Sequence, residues 1–221
     1  MGADHAIVVA SGAVLPDAAR AGLRVDAYVV AADGGVDAAL AMGLTIDVAI
    51  GDLDSVTDAG LERAVAMGAR VERHPEAKDA TDLELALDAA VALGARDIVV
   101  LAADGGRFDH LLATVDVLTA PNRSGVRLEA WFGANHLWVV TAQTPAHIVA
   151  SPGALVTLLP VHGPALGVHA EGFLYALRAE TLSSGTSRGV SNVLIDTSAT
   201  VGVEEGTVLV VVPPSHQGDQ Q

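Results

Sequence analysis

The sequence predicts an α/β domain with a mostly parallel, Rossmann-like sheet, followed by an all-β, antiparallel, sandwich-like domain. In residues 1–125, short β-branched runs alternate with alanine-rich helical stretches, which indicates βα units. Residues 126–221 instead hold short strand-like runs separated by Gly, Pro and Ser, a pattern typical of antiparallel sheets. Composition changes at the same boundary, because residues 1–125 hold 20 of the 27 acidic residues and residues 126–221 hold six of the nine prolines.

The elements follow from this alternation. In the first domain the predicted strands are Ala6–Ala10, Tyr28–Ala32, Asp47–Ile50, Arg70–Arg73 and Asp97–Ala102. The predicted helices lie at 17–23, 35–42, 58–67, 81–93 and 108–119. In the second domain the predicted strands are Arg127–Phe132, His136–Thr141, Ala154–Leu159 and Thr207–Val212, and we expect the polar tail Ser215–Gln221 to be frayed.

Composition excludes several classes of protein. The chain has 12 basic and 27 acidic residues, a net charge of −15, which disfavours binding to DNA, RNA or anionic lipid. A small nucleotide, held by a metal ion and a few cations, stays compatible with that charge. The chain has no cysteine, so disulfides, thiolate metal sites and cysteine nucleophiles are excluded. With no long apolar run and no basic segment in the first five residues, we expect a cytoplasmic protein without a membrane span.

Acidic residues follow the predicted parallel strands, at the edge where open α/β sheets bind ligands. Asp33 follows the second strand, Asp52 and Asp54 follow the third, and Asp104 follows the fifth. In extended backbone, an i, i+2 pair such as Asp52 and Asp54 points both carboxylates to one side. Two close carboxylates favour a divalent cation, and hard oxygen ligands suit Mg²⁺. The alternative is that these acids only cap the next helix.

Three more features lie near these acids in the sequence. Lys78 is the only lysine, which makes it a candidate for a phosphate contact. Thr81 and Glu84 have the spacing of a capping box, which explains them without a catalytic role. The Gly105-Gly106-Arg107 turn could bring backbone N–H groups and a guanidinium to a phosphate, although it matches no common nucleotide motif.

Taken together, five segments resemble the thiamine pyrophosphokinase family. They are AADGG at 31–35, GDLDS at 51–55, KDATDLELAL at 78–87, GGRFDH at 105–110 and SRGVSN at 187–192. The resemblance implies a homodimeric enzyme with a nucleotide- and metal-binding catalytic domain, residues 1–125, and a thiamine-binding and dimerisation domain, residues 126–221. Such an enzyme transfers pyrophosphate from ATP to the thiamine hydroxyl, giving thiamine diphosphate and AMP.

The resemblance also implies roles for individual residues. Asp52, Asp54 and Asp82 would hold Mg²⁺ and act in catalysis with Lys78, Asp79 and Arg107. The nucleotide would contact Asp33, Gly34, Ser55, Thr81, Arg107, Asp109 and His110. Thiamine would contact Ser187, Gly189, Ser191 and Asn192, with the active site at the subunit interface. That last group has an alternative explanation, because its composition also suits a Gly/Ser-rich hairpin turn.

The chain departs from the family pattern in places, and other functions stay open. Val36 and Asp37 stand where Ala-Asn is frequent, Leu85 where lysine is common, and Phe108 where leucine is frequent. The alternatives are a pterin-type pyrophosphokinase, a non-catalytic nucleotide- or thiamine-binding relative, and a metal-dependent phosphohydrolase. The SRGVSN segment disfavours the first, and the set of acidic residues disfavours the second.

Overall fold

The computed structural model describes residues 4–214, so the predictions for the first three residues and for the tail Ser215–Gln221 lie outside the described part. Helices α1 to α5 are Asp17–Arg20, Gly35–Ala41, Asp58–Ala66, Asp82–Ala92 and Phe108–Leu118, and a 3₁₀ helix covers Pro121–Arg123. Strands β1 to β6 are His5–Val9, Tyr28–Ala32, Val48–Gly51, Arg70–Arg73, Asp97–Ala102 and Arg127–Phe132. Strands β7 to β13 are Asn135–Val140, Ala146–Val149, Leu155–Glu171, Leu177–Leu182, Asn192–Val193, Ser198–Gly202 and Glu205–Val212.

The described chain divides into two units. The first takes the residues up to Thr114 together with Leu128–Gly133, and the second takes Val115–Arg127 and the residues from Ala134 onward. In the first unit the strand order is β4-β3-β2-β1-β5-β6. The pairs from β4 to β5 are all parallel. The predicted parallel sheet is confirmed, and its five loops leave the strands at one edge.

Burial explains why these sequences form strands. β1, β2 and β3 are almost wholly buried, which matches the near-continuous apolar runs expected of a parallel sheet covered on both faces. The core of this unit joins side chains of the central strands to helix α2 and to Trp131 of β6. Helices α3 and α4 begin at threonine N-caps, because Thr57 accepts a hydrogen bond from the Gly60 N–H and Thr81 from the Glu84 N–H.

The second unit is antiparallel. Its strand order is β7-β13-β9-β12-β8, and β10 and β11 also pair with β9. The central strand β9 has 17 residues and pairs with four others, so the predicted strand Ala154–Leu159 is only its first part. The sequence interpretation also missed β8, β10, β11 and β12. The core of this unit lies around Leu158, Val168 and Leu182, all of them fully buried.

The chain therefore folds as a mixed β-sheet with helices, in agreement with the general class that the sequence predicts. Within residues 4–214, no helix is long and apolar enough to cross a membrane.

Candidate functional site

A cavity of about 570 Å³ lies at the carboxyl ends of the parallel strands in the first unit. The loops after β1, β2, β3 and β5 line it, together with the start of α4. Its polar lining includes Ser11, Asp33, Asp52, Lys78, Asp82 and Arg107. Strands β2, β3 and β4 are added on one side of β1, and β5 is added on its other side. The gap between β1 and β5 is therefore the switch point of the sheet, where open α/β sheets bind ligands.

Three carboxylates converge in this cavity. Asp33, Asp52 and Asp82 each offer an oxygen, and these oxygens lie within 4.8 Å of one another. Asp33 follows β2, Asp52 follows β3, and Asp82 opens α4, so three different loops bring them together. The side chains of Asp52 and Asp82 are 17% and 23% exposed. Close, half-buried carboxylates repel each other and therefore favour a cation between them.

Lys78 supplies a cation to this cluster. Its Nζ lies 2.9 Å from Asp52 Oδ2 and 2.9 Å from Asp82 Oδ1. The hydrogen bond from Lys78 is the main reason that the pKa of Asp52 lies below its usual value. Burial acts to lower the pKa of Lys78, but the hydrogen bonds to both carboxylates outweigh it and raise that pKa. The lysine is therefore protonated at neutral pH.

Unusual backbone conformations place these acids. Asp33 and Leu53 have φ angles of +47° and +62°, which non-glycine residues rarely adopt. Gly51, the last residue of β3, has φ +135°, and a Cβ there would lie 2.7 Å from Asp82 Oδ1. A glycine is therefore required at this position, both for the backbone angle and to leave room for the Asp82 carboxylate.

Asp54 lies outside the three-carboxylate cluster. The positive φ of Leu53 breaks the extended geometry that the sequence interpretation assumed for the Asp52 and Asp54 pair. Asp54 is exposed, and its Oδ1 accepts a hydrogen bond of 3.0 Å from Ser55 Oγ. Ser55 also donates its backbone N–H to Asp33 Oδ1 at 3.3 Å, so Asp33 holds the acidic loop in place.

Asp37, one of the departures from the family pattern, contacts the start of α3. Its Oδ2 accepts the Thr57 N–H at 2.8 Å, and its Oδ1 accepts the Thr57 hydroxyl at 2.7 Å. A Cβ at Gly60 would clash with the Asp37 carboxylate, so this glycine lets the two helices approach. The carboxylate of Asp37 therefore fixes the end of the loop that follows β3.

Arg107 and His110 line the same cavity from the loop after β5 and the first turn of α5. Arg107 donates to both carboxylate oxygens of Asp109, at 3.2 and 2.6 Å, and both side chains are more than 60% exposed. The hydrogen bonds from this guanidinium lower the pKa of Asp109 to about 2. The predicted Gly105 and Gly106 are exposed in the same turn.

Some of the other residues predicted to contact the nucleotide also stabilise the local fold. Thr81 lines the cavity and caps α4. A Cβ at Gly34 would lie 2.7 Å from Ser11 Oγ, which keeps this turn closely packed. Asp79 is exposed beside Lys78. The sequence interpretation missed Ser11, although its position just after the first strand was a usable signal.

The predicted thiamine-side residues lie in the second unit. Ser187 is exposed, and Gly189 has φ +97° with a hypothetical Cβ only 2.6 Å from the Leu158 carbonyl oxygen. Ser191 has φ +57° and donates its N–H to a threonine hydroxyl of β9. Asn192 is 3% exposed and makes hydrogen bonds to Tyr175 N–H, Tyr175 C=O and the Val193 N–H. The Asn192 amide therefore holds the Tyr175 segment against β11.

Comparison with known proteins agrees with this arrangement. The model of the family described as thiamin pyrophosphokinase, catalytic domain, matches residues 22–130. The model described as thiamin pyrophosphokinase, vitamin B1 binding domain, matches residues 146–208. The two matches together take in more than three quarters of the chain. The chain belongs to the thiamin pyrophosphokinase family.

Individual members of that family are similar over nearly the whole chain. The thiamine pyrophosphokinase of Bacillus subtilis is 24% identical over 179 residues, 81% of this chain and 84% of the relative. Its crystal structure superimposes with a TM-score of 0.81, covering 96% of this chain and all of that one. The thiamin pyrophosphokinase of Geobacillus thermodenitrificans is 28% identical, with a TM-score of 0.77 over 96% of this chain and 99% of that one.

Membership of the thiamin pyrophosphokinase family settles the reaction. The chain is a thiamine diphosphokinase, a transferase that moves pyrophosphate from ATP to the thiamine hydroxyl. Its substrates are thiamine and ATP, and its products are thiamine diphosphate and AMP. The family uses ATP and typically a divalent metal ion. The prediction of this function from the five sequence segments is confirmed.

Proposed function

We propose that pyrophosphate transfer takes place in the cavity at the carboxyl ends of the parallel strands, around Asp33, Asp52 and Asp82. The observation that carries this proposal is the convergence of three carboxylates and one lysine from separate loops within a single cavity. Asp82 is not needed as the N-cap of α4, because Thr81 already supplies that cap. A site for a cation and phosphates explains why they meet.

The donors in this cluster suit Mg²⁺. Asp82 Oδ1 is buried and faces the Lys78 ammonium at 2.9 Å without any further hydrogen-bond donor among the described residues, so it retains a lone pair for a cation. Carboxylate oxygens are the protein ligands that Mg²⁺ prefers, usually one or two together with phosphate oxygens and water. We propose Asp52 and Asp82 as ligands, with Asp33 beside them. The family resemblance also implies Asp54 as a ligand, and this residue is exposed in the same loop, outside the three-carboxylate cluster.

The cations of the site belong on the phosphate side of the reaction. Lys78 and Arg107 both line the cavity, one from the segment before α4 and the other from the loop after β5. We propose that they neutralise charge on the phosphates of ATP, since phosphoryl transfer depends mainly on positioning and charge stabilisation. Around them, the proposed nucleotide contacts are Asp33, Gly34, Ser55, Thr81, Asp109 and His110.

In the proposed mechanism, the thiamine hydroxyl oxygen attacks the β-phosphorus of ATP in line. A bond forms between that oxygen and the β-phosphorus. The bond from the β-phosphorus to the oxygen that bridges it to the α-phosphorus breaks, and AMP leaves with that oxygen. Bound Mg²⁺ would supply charge neutralisation on the phosphate oxygens. The hydroxyl proton passes to a carboxylate, with Asp79 and Asp82 as the two candidates. Lys78 and Arg107 hold the phosphates in line for this step.

The second domain is proposed to bind thiamine and to form the dimer. The match of residues 146–208 to the vitamin B1 binding domain supports thiamine contacts at Ser187, Gly189, Ser191 and Asn192. We propose a cytoplasmic homodimer with the active site at the subunit interface. We further propose that residues 1–125 form a Rossmann-like catalytic domain and residues 126–221 a sandwich-like thiamine-binding domain.

Product analysis tests this function. The purified protein is incubated with ATP and a divalent cation, with and without thiamine, and AMP and thiamine diphosphate are quantified. We expect equal amounts of both products, formed only when both substrates and the cation are present. The variant Asp82→Asn should lose turnover, whereas Arg24→Ala, which removes an exposed ion pair with Asp26 outside the cavity, should not. Full turnover in Asp82→Asn would contradict the proposed site.

A further inference from the structure

Lys78 contacts the two carboxylates that a divalent cation would need. Its Nζ is equally distant, at 2.9 Å, from Asp52 Oδ2 and Asp82 Oδ1. The lysine side chain is only 13% exposed, so the ammonium group is held inside the cavity rather than at its rim. Two charge-assisted contacts at this distance are strong ones for an amine.

Asp82 Oδ1 is the oxygen that both the Lys78 ammonium and a bound metal ion would contact. This oxygen is buried, and the Lys78 ammonium at 2.9 Å is its partner, with no further hydrogen-bond donor to it among the described residues. Gly51 leaves the space in which the oxygen lies, because a Cβ there would come within 2.7 Å of it. A cation bound to this oxygen would therefore be a close neighbour of the Lys78 ammonium.

We infer that Lys78 competes with the divalent cation for Asp52 and Asp82. When the cation displaces the lysine from these carboxylates, the Lys78 ammonium forms ion pairs with the phosphates of the nucleotide. This inference rests on the proposed function of the cluster as the metal site. A divalent cation and an ammonium repel each other at a few ångströms, so both cannot hold the same two carboxylate oxygens. The metal alone should bind weakly, and the metal with nucleotide should bind tightly.

The position of Lys78 in the chain allows this exchange. The residue lies in the segment between β4 and α4, where its own N–H donates to the Glu76 carbonyl oxygen at 3.1 Å. A lysine carries its charge on a flexible four-carbon stem and can change partners without a backbone movement. Because linkage is reciprocal, the nucleotide should raise metal affinity by the same factor by which the metal raises nucleotide affinity.

Binding of Mn²⁺ to the full chain tests the exchange directly, by the loss of the free-ion electron paramagnetic resonance signal. The probe is Mn²⁺ alone, and then Mn²⁺ with α,β-methylene-ATP, which cannot release AMP. We expect Lys78→Met to bind Mn²⁺ alone at least about tenfold more tightly than the wild type, which corresponds to about 1.4 kcal/mol. The enhancement of Mn²⁺ affinity by the nucleotide should fall by a similar factor in this variant.

Arg73→Met is the matched control. Its guanidinium donates to the Asp52 backbone carbonyl oxygen at 3.5 Å, so this substitution removes a positive charge close to the cluster without freeing a carboxylate oxygen. We expect a change in Mn²⁺ affinity of no more than about twofold, as for a solvent-screened charge. Equal gains in affinity from both variants would show a general effect of charge and would overturn the exchange.

A second measurement uses the wild-type chain and needs no substitution. Since Lys78 is the only lysine, protein grown with ¹³C-labelled lysine gives one Cε–Hε resonance. We expect this resonance to shift when Mg²⁺ is added at high concentration, and to shift further when α,β-methylene-ATP is present. A resonance that stays unchanged while Mg²⁺ binds would overturn the inference.

The outcomes separate this inference from the proposed function. Equal, measurable Mn²⁺ affinities in wild type and Lys78→Met would refute the exchange and leave the metal site standing. Absence of Mn²⁺ binding in both proteins would refute the metal assignment itself, and the exchange with it. Tight binding by Lys78→Met that is lost again in Lys78→Met/Asp82→Asn would support both.

Discussion

The contact between Asp37 and Thr57 gives the sharpest prediction about stability. Asp37 accepts both the N–H and the hydroxyl of Thr57, and the same hydroxyl accepts the Gly60 N–H as the N-cap of α3. Asp37→Ala removes the acceptor for two donors at once. The loop that carries Asp52 ends at this cap, so the substitution should loosen the acidic loop as well as destabilise the fold.

The size of the effect follows from these two bonds. A hydrogen bond to a charged group contributes about 1.5–3 kcal/mol when it is buried, and less at a half-exposed position such as this. We therefore expect Asp37→Ala to lower the free energy of unfolding by about 2 kcal/mol. Thr57→Ala removes the N-cap, for about 1 kcal/mol. Asp37→Asn should cost less than about 1 kcal/mol, because an amide can still accept the N–H.

Urea unfolding of the two single variants and of the double variant measures this prediction. The hydrogen bond from the Thr57 hydroxyl to Asp37 is lost in either single variant. The effects of the two substitutions should therefore not add, and the double-mutant cycle should give a coupling of about 1 kcal/mol. Asp37→Asn serves as the shape-matched control. A loss below about 0.3 kcal/mol in Asp37→Ala, or strict additivity with Thr57→Ala, would refute the reasoning.

Three further predictions concern single positions. Gly51→Ala places a Cβ 2.7 Å from Asp82 Oδ1 at φ +135°, so Mn²⁺ binding should weaken and unfolding should become easier by about 1–3 kcal/mol; unchanged Mn²⁺ affinity would contradict this. Asn192→Ala removes a buried amide with three hydrogen bonds and should lower the free energy of unfolding in urea by about 2–3 kcal/mol, whereas a near-neutral result would show that the amide is dispensable. The Asp109 carboxyl should titrate by ¹³C NMR near pH 2, and in Arg107→Ala near its ordinary value. Because the pKa of Asp109 is lower in the folded state, any stability from this exposed pair is present above the ordinary carboxyl pKa and is lost as the pH falls towards 2. An identical Asp109 titration in the wild type and in Arg107→Ala would contradict the pairing.

The parallel half of the fold could be predicted because its signals are local. Tyr28–Ala32 and Asp97–Ala102 are found as predicted, since buried runs rich in valine that are bounded by turn residues leave little choice of structure. Arg70–Arg73 is also found as predicted, although its residues are exposed or only partly buried. The second half of β9 could not be predicted in this way. It contains Gly163 and Pro164, which usually interrupt strands, and it is held by pairing with β13 across a register shift.

The candidate site was predictable in its acids and less so in its geometry. The position of acids after parallel strands indicated the correct edge of the sheet, because that edge is fixed by topology. The exclusion of Asp54 from the group of Asp33, Asp52 and Asp82 follows from the positive φ angle of Leu53, and no sequence pattern predicts that angle at a leucine. The contact of Lys78 with Asp52 joins separate loops and likewise has no local signal, whereas its contact with Asp82 spans only four residues.

The order of the strands in the first unit has a consequence for how the protein folds during synthesis. β1 lies between β2 and β5, and its residue His5 pairs with Asp97. The loops that carry Asp33, Asp52 and Asp82 all lie within the stretch of chain that this pairing closes. Closing so long a loop is entropically costly and slows folding. We therefore expect the carboxylates to be held together only after the nascent chain has emerged from the ribosome up to the end of β5. Metal binding then becomes possible only late in folding.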